Sequence, residues 1–297
     1  KKSEGLSRRK GSPSKRDWVQ AIEELRPENE LDILLGIKKM ARSTFYYHQR
    51  QLGNPDGYDD LRKKIRSIFF KHKQRYGYRR VTDDLRNQGE KVNHKLVQRL
   101  MQEMGLRAKV KGRKYNSYKG EVGKKAPNVL ERHFKADKPN QKWTTDISQV
   151  TIHDKKLYIS PIQDLYNGEI VTCAISNSPN MKLVLRMANK AIKKFDSVEG
   201  LIMHSDQGWQ YQHQDYQKLL KINGITQSMS RKGNCYDNAA MESFFGIMKN
   251  ELLYSQEWKS AESFKHALRA YIHYYNNDRI KLRLNGLSPV QYRTQTR

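Results

Sequence analysis

Three acids stand where chemistry could be done. Asp146 sits mid-strand in Trp143-Thr144-Thr145-Asp146. Asp206 directly follows the apolar run Leu201-Ile202-Met203. Glu242 lies in the first turns of an apolar helix, in Met241-Glu242-Ser243-Phe244-Phe245. Side chains alternate along a strand, so Asp146 shares a face with Thr144 and Ser148. Open α/β sheets collect their ligand sites at strand ends, which is where Asp206 falls. If the strands of Asp146 and Asp206 adjoin and the helix of Glu242 crosses their ends, three carboxylates converge. Convergent carboxylates repel unless they share a cation. Mg²⁺ takes oxygen ligands and keeps several waters, so acids together with phosphate oxygens suit it. Two such ions ~3.5–4 Å apart can activate a water or a 3′-hydroxyl and stabilise the leaving oxygen. Mn²⁺ is the expected substitute.

The elements that must position these acids can be read from Lys142 onward. Lys142–Ile152 is β-rich, Leu157–Leu165 is a second apolar run, and Glu169–Ser176 a third strand. Asn167-Gly168 predicts a tight hairpin of the primed type. Pro161 inside the second run predicts an edge or a bulge. Asn180 is expected to cap a helix with Val184, Ala188, Ala191, Ile192 and Phe195 on one face. Leu201–His204, helix Tyr216–Ile222 and strand Ile225–Met229 follow. Asn238 is expected to cap a helix from about Ala239 to Leu253, and Ser260 a last long one. The order β-β-β-α-β-α-β-α predicts an α/β sheet with helices on both sides.

Before this region the chain is strongly basic. The net charge is +26, and residues 61–125 hold 21 Lys/Arg against 5 Asp/Glu. Such a surplus points to a polyanion, because bound phosphates release counterions. Residues 17–52 read as three short helices, the last two (Glu28–Leu35 and Ala41–Gln51) with helix-turn-helix spacing. Gly53-Asn54-Pro55-Asp56-Gly57 marks a boundary. A helix with Leu61, Ile65, Ile68 and Phe69 inward follows. Then comes a second helix-turn-helix: Tyr76-Gly77-Tyr78-Arg79-Arg80 opens its first helix, which stops at Gly89. His94–Met104 is the helix expected in a major groove, with Lys95, Gln98 and Arg99 outward. Duplex DNA is therefore the expected partner, with Arg79, Arg80, Lys95, Gln98, Arg99, Lys111, Arg113, Lys114, Arg231 and Lys232 as candidate contacts.

These blocks resemble the retroviral-integrase-type transposases that use two Asp and one Glu, in particular the bacterial insertion-sequence family three. The likeness rests on Trp143-Thr144-Thr145-Asp146, Leu157-Tyr158-Ile159-Ser160, His204-Ser205-Asp206-Gln207-Gly208-Trp209-Gln210-Tyr211, Ser228-Met229-Ser230-Arg231-Lys232-Gly233-Asn234 and Asp237-Asn238-Ala239-Ala240-Met241-Glu242-Ser243-Phe244-Phe245. Tyr274-Tyr275-Asn276, Leu287-Ser288-Pro289 and the 35 residues between Asp206 and Glu242 also fit. The resemblance implies an RNase H-like core preceded by all-α helix-turn-helix units. It further implies that Asp146, Asp206 and Glu242 bind two Mg²⁺ ions and catalyse cutting at inverted-repeat ends, with transfer of the freed 3′-hydroxyl through a circular intermediate into target DNA. Lys249, seven residues past Glu242, matches a basic residue directed at the DNA. Two ends must be held together, so a dimer or larger assembly is implied.

The expected organisation is a flexible basic arm (1–16), a helical segment (17–55), a helix-turn-helix domain (56–107), a basic linker (108–141), the catalytic core (142–255) and a helical extension (256–297). No sustained heptad precedes the core. Several residues carry plainer readings: Asp164 a structural hydrogen bond rather than a fourth ligand, Asp237 a helix cap, His204 a packed strand-end residue, Trp143 and Trp209 core or site wall. No apolar run approaches the ~18 residues that cross a bilayer, so no membrane partner is expected. Two cysteines, Cys173 and Cys235, give neither a zinc site nor a disulfide framework, in keeping with the cytoplasm. A non-catalytic DNA-binding regulator and an RNase H-fold nuclease are the rival functions. The intact trio weighs against the first, and the paired helix-turn-helix units against the second.

Overall fold

The six-stranded sheet that carries two of the three acids opens with one interrupted strand. In a computed structural model that describes residues 15–52, 57–109, 126–131, 133–231 and 238–295, β1 (Lys142–Thr145) and β2 (Ser148–Ile152) both pair antiparallel with β3 (Lys155–Asp164). Thr145 faces Ile162 and Ser148 faces Ile159, so the register runs unbroken through the gap and places Asp146 opposite Pro161. The Thr145 hydroxyl donates to the Pro161 carbonyl (2.8 Å), so the proline's main chain faces the gap. Proline has no N–H to give the ladder, and the pairing lapses there. Asp146 is thus at the end of β1, not mid-strand. Pro161 lies in a central strand, not at an edge, because β4 (Ile170–Ser176) covers β3 on its other side, with a register shift at Ile162/Gln163.

β5 (Ile202–Ser205) pairs parallel with β1, and β6 (Thr226–Met229) parallel with β5. An antiparallel meander thus continues into parallel strands. Helices cover both faces. On one side α7 (Met181–Ile192) and α9 (Gln214–Ile222), the latter preceded by the short α8 (Trp209–Gln212), bury Val184, Met187, Tyr211 and Tyr216 against Trp143, Met203 and Met229. On the other side α10 (Ala239–Met248) and α11 (Ala261–Asn277) pack Phe244, Phe245, Phe264 and Leu268 against Val150, Leu157 and Ile159. Asn180 caps α7 through the Leu183 amide (3.1 Å), and Ser260 caps α11 in a reciprocal box with Ser263.

Three local expectations need correction. The turn after β3 is not a primed two-residue hairpin: Asn167 keeps an ordinary φ, only Gly168 is left-handed (φ 71°), and the Gly168 amide closes a longer loop onto the Asp164 carbonyl (2.7 Å). The helix of Glu242 does not run on to Leu253 as one α-helix. From Lys249 to Leu253 it widens into a π-turn, with the Tyr254 amide reaching the Lys249 carbonyl (2.8 Å). The expected linker also ends early: Met229 donates its amide to the Pro127 carbonyl (3.2 Å) and the Ser228 hydroxyl accepts from the Val129 and Leu130 amides. Residues 126–130 therefore cover the β6 edge, as exposed edges require.

The chain divides into two compact units, residues 1–67 and 68–297. In the first, α1 (Lys15–Leu25), α2 (Leu31–Lys38) and α3 (Arg42–Leu52) gather Val19, Ile22, Leu34, Leu35 and Phe45. α2 runs through Gly36 to Lys38, past the Leu35 end expected from sequence, and the chain turns at Lys39 (φ 47°). The second unit opens with the last turn of α4 (Asp59–Lys71), then α5 (Tyr78–Asn87) and α6 (His94–Glu103). Gly89 (φ 91°) ends α5 and Asn93 caps α6 through the Lys95 amide (2.9 Å). α5 and the residue run before it pack with the C-terminal tail: Tyr76 Oη donates to the Asp278 carbonyl and accepts from the Ile280 amide, and Asn87 donates to the Gly286 carbonyl. No helix among the described residues is long and apolar enough to cross a membrane.

Candidate active site

Asp146 and Asp206 leave adjacent parallel strands at the same end, which brings their carboxylates together. Both are half-buried. Each carboxylate takes one nearby amide, Ile147 to Asp146 (2.7 Å) and Gly208 to Asp206 (2.9 Å). A Cβ at position 208 would stand 3.0 Å from Asp206 Oδ1, so glycine lets the loop close on this acid without crowding it. Burial first, and then the Asp206 charge, push the Asp146 carboxyl up to about 8. Glu242 adds to the rise and Lys249 opposes it. Burial also raises Asp206. No arginine or lysine makes a direct ion pair with either acid among the described residues. Repulsion of this kind between half-buried carboxylates is a mark of a functional site.

Glu242 stands in the first turn of α10, where its charge adds to the rise at Asp146, and burial raises its own carboxyl. What fixes α10 to the sheet is Asn238. Its side chain does not cap the helix as expected. It accepts from the Thr144 hydroxyl (2.9 Å) and donates to the Thr145 carbonyl (3.5 Å), both in the strand that ends at Asp146. Lys249 is half-buried in the π-turn. Burial lowers its ammonium and the Asp146 charge opposes that shift. Sequence reasoning missed two contributors. One is Asn238 as a tether. The other is Tyr211, buried with its hydroxyl 3.5 Å from Thr145 Oγ1 and raised well above its usual range by burial and by the charges of Asp206 and Asp146. Its place five residues past Asp206 was the available signal.

Asp164, fully buried, accepts from the Asn140 and Tyr166 amides and has no part in the cluster. His204 is likewise buried, with Nδ1 2.9 Å from Ser228 Oγ. Trp143 is core, whereas Trp209 stays 46% exposed beside the site. Lys95 and Arg99 face solvent from α6 and Gln98 is half-buried. Arg79 is exposed beside the Tyr78 hydroxyl (3.2 Å). Arg80 departs from expectation: it turns inward over the Tyr76 ring, 3.6 Å from Glu251. Arg231 is exposed just past β6. Lys111, Arg113, Lys114, Lys232, Cys235, Asp237 and most of the basic arm lie outside the described residues.

Family models match this architecture in three pieces: an HTH-like domain over residues 58–114 and integrase core domains over 136–235 and 242–296. The chain is 49% identical over 278 residues to the InsK transposase assigned to insertion sequence element IS150 of Escherichia coli (strain K12), covering 94% of this chain and 98% of that protein. This chain belongs to the insertion-sequence transposases. A transposase-like protein of Haemophilus influenzae is 52% identical over 206 residues, 69% of this chain and 95% of that one. The InsF transposase of IS3A from E. coli (strain K12) is 35% identical over 208 residues, 69% and 72% of the two chains, and the transposase is of that insertion-sequence family-three kind. Among solved structures, the HTLV-2 integrase catalytic core domain in complex with magnesium aligns with a TM-score of 0.43 at 16% identity, covering 53% of this chain and 98% of that one. The family models over residues 136–235 and 242–296 make the mixed sheet flanked by helices an integrase-type core, with an HTH-like region over 58–114 ahead of it.

Proposed function

We propose that Asp146, Asp206 and Glu242 form the reacting site of a DNA strand-transferase acting at the terminal inverted repeats of its element. The observation that carries this reading is the carboxylate pair Asp146–Asp206, half-buried and mutually repelling at one sheet end, with Glu242 on a helix tied to the same strand by Asn238. The donor set is all oxygen, which fits a hard divalent cation. Among the described residues no three such side chains are drawn close enough to hold a metal as they stand. The pair is the better-formed part, and Glu242 is its half-buried third member. Mg²⁺ held there, as two ions or with Mn²⁺ in its place, would polarise the scissile phosphate and activate the attacking oxygen.

The chain's own residues then position and exclude. In the first step water attacks the phosphorus at the element's end, a new P–O bond forms, and the 3′-oxygen leaves and takes up a proton. In the second that 3′-hydroxyl attacks another phosphodiester, losing its proton as the displaced 3′-oxygen gains one. The first joining gives a circular donor and the next gives insertion into target DNA. Lys249 contacts a phosphate beside the acids. Lys95, Gln98, Arg99 and Arg79 dock the helix-turn-helix on duplex DNA, with Lys111, Arg113, Lys114, Arg231 and Lys232 along the backbone. Two ends brought together call for a dimer or larger assembly, working in the cytoplasm. The test is strand transfer by purified protein on labelled terminal-repeat duplex with Mg²⁺, beside Glu242→Gln. Joined products from the wild type alone support the reading. Tight binding with no cleavage in Mg²⁺ or Mn²⁺ favours a DNA-binding regulator.

A further inference from the structure

The π-turn that carries Lys249 is held by charges from elsewhere in the same unit. Glu251 is 11% exposed at its side chain and takes three close contacts from Arg279 (2.7, 2.9 and 3.1 Å). The Tyr271 hydroxyl donates to it at 3.0 Å. Arg80 stands 3.6 Å away. The Glu251 main-chain carbonyl accepts from Arg75 Nε (3.1 Å). Arg75 and Arg80 flank the start of α5, the first helix of the helix-turn-helix, and Arg279 follows α11. Three arginines from two distant stretches therefore converge on one residue, two positions past Lys249. A carbonyl claimed by a side chain is released from the regular helical ladder, and π-turns of this kind recur at functional sites.

We propose that Glu251 is a positioning residue through which Arg75, Arg80 and Arg279 fix the turn bearing Lys249 against Asp146, so that the helix-turn-helix segment and the reacting site share one register. The proposal rests on the reading of the acids given above. It reverses the role that sequence alone suggested for Arg80, from phosphate contact to internal strut. Its prediction is a split between binding and turnover. Loss of Arg80 displaces Lys249 without removing a DNA contact, and misplacement of about 1 Å at a reacting site costs on the order of 10²-fold in rate.

The experiment uses the full chain, a terminal-repeat duplex and Mg²⁺, and compares wild type, Arg80→Met, Arg80→Lys, Glu251→Asp and Asp146→Asn. For each, duplex affinity, single-turnover transfer rate at saturating DNA and hydrogen exchange of the 249–254 amides are measured. The expected result for Arg80→Met is unchanged affinity, a transfer rate down at least tenfold, and faster exchange at Tyr254 with unchanged melting. Arg80→Lys recovers part of the rate, and Glu251→Asp falls between. A drop in affinity with unchanged saturated rate would overturn the proposal and make Arg80 a DNA contact. Unchanged rate and unchanged exchange would overturn it as well. Asp146→Asn separates the two readings: full transfer by that variant sinks the acid-site reading itself, whereas its inactivity beside a fully active Arg80→Met sinks only the positioning role.

Discussion

Two clusters of buried charge lie in the same unit and behave in opposite ways. At Glu251 the carboxylate meets Arg279, Arg80 and a tyrosine hydroxyl, and its pKa is held below the usual range by Arg279 despite a burial penalty that is the largest single influence. At Asp146 a carboxylate meets another carboxylate, and burial and repulsion push it up to about 8. The first cluster is satisfied and holds structure together. The second is left unsatisfied by the fold, and an unsatisfied buried charge persists where a ligand completes it. Among the described residues the arginines gather at Glu251 and none forms an ion pair with Asp146 or Asp206, which leaves those two acids available to cations.

The contrast can be broken most forcefully at the satisfied cluster. Arg279→Met strands Glu251 in the interior, and breaking one side of such a pair costs about 3–5 kcal/mol. Denaturant unfolding should show a loss of that size, largely recovered in the double variant Glu251→Gln/Arg279→Met. A small loss in the single variant would mean that Arg80 alone suffices.

At the unsatisfied pair the sign reverses. The Asp146 carboxyl holds its proton to about pH 8 when folded, whereas an unfolded aspartate releases it near pH ~4. Folding therefore takes up a proton between these values, and stability falls as pH rises through that window. Without divalent cation the protein should melt lower at pH 8 than at pH 5.5. Asp146→Asn should flatten that slope and gain about 1–2 kcal/mol at pH 8. Glu251 acts oppositely: its contribution is present above the unfolded value near ~4.3 and is lost as pH falls below it. A protein that grows steadily more stable from pH 5.5 to 8 would contradict the raised Asp146.

Smaller effects sharpen the division between struts and contacts. Lys95→Ala and Arg99→Ala on the exposed face of α6 should each weaken duplex binding by about 1 kcal/mol and reduce its salt dependence, read by fluorescence anisotropy at two ionic strengths, with melting unchanged. Arg42→Ala removes a close ion pair to Asp32 that is more than half exposed on both sides. Exposed pairs contribute little, and thermal melting should not move.

Much of this was legible in the sequence because it rests on periodicity and strand ends. The helices on both faces and the helix-turn-helix spacing needed only alternation, 3–4 spacing and the turn residues around Gly89 and Asn93, whereas the adjacency of the Asp146 and Asp206 strands was a condition that only the family resemblance supported. What escaped depends on tertiary partners. Pro161 left an edge and a bulge equally open, and only the pairing of β3 with β1 and β4 puts it in a central strand, beside a register shift at Ile162/Gln163. Asn238 looked like a cap because local sequence cannot reveal that Thr144 competes for its side chain. The apolar pattern of Ala239–Leu253 hides a π-turn that Arg75 and Arg279 help to hold. Arg80 sits in a basic run beside real surface residues, and only the fold turns it inward.

The central claim is that the Asp146–Asp206 pair is a cation site completed by Glu242. Mn²⁺ binding measured by electron paramagnetic resonance on the full chain at pH 8, for wild type, Asp146→Asn and Glu251→Asp, tests it most directly. The account predicts saturable binding to the wild type and to Glu251→Asp, and loss of it in Asp146→Asn. Equal Mn²⁺ binding by wild type and Asp146→Asn would contradict it.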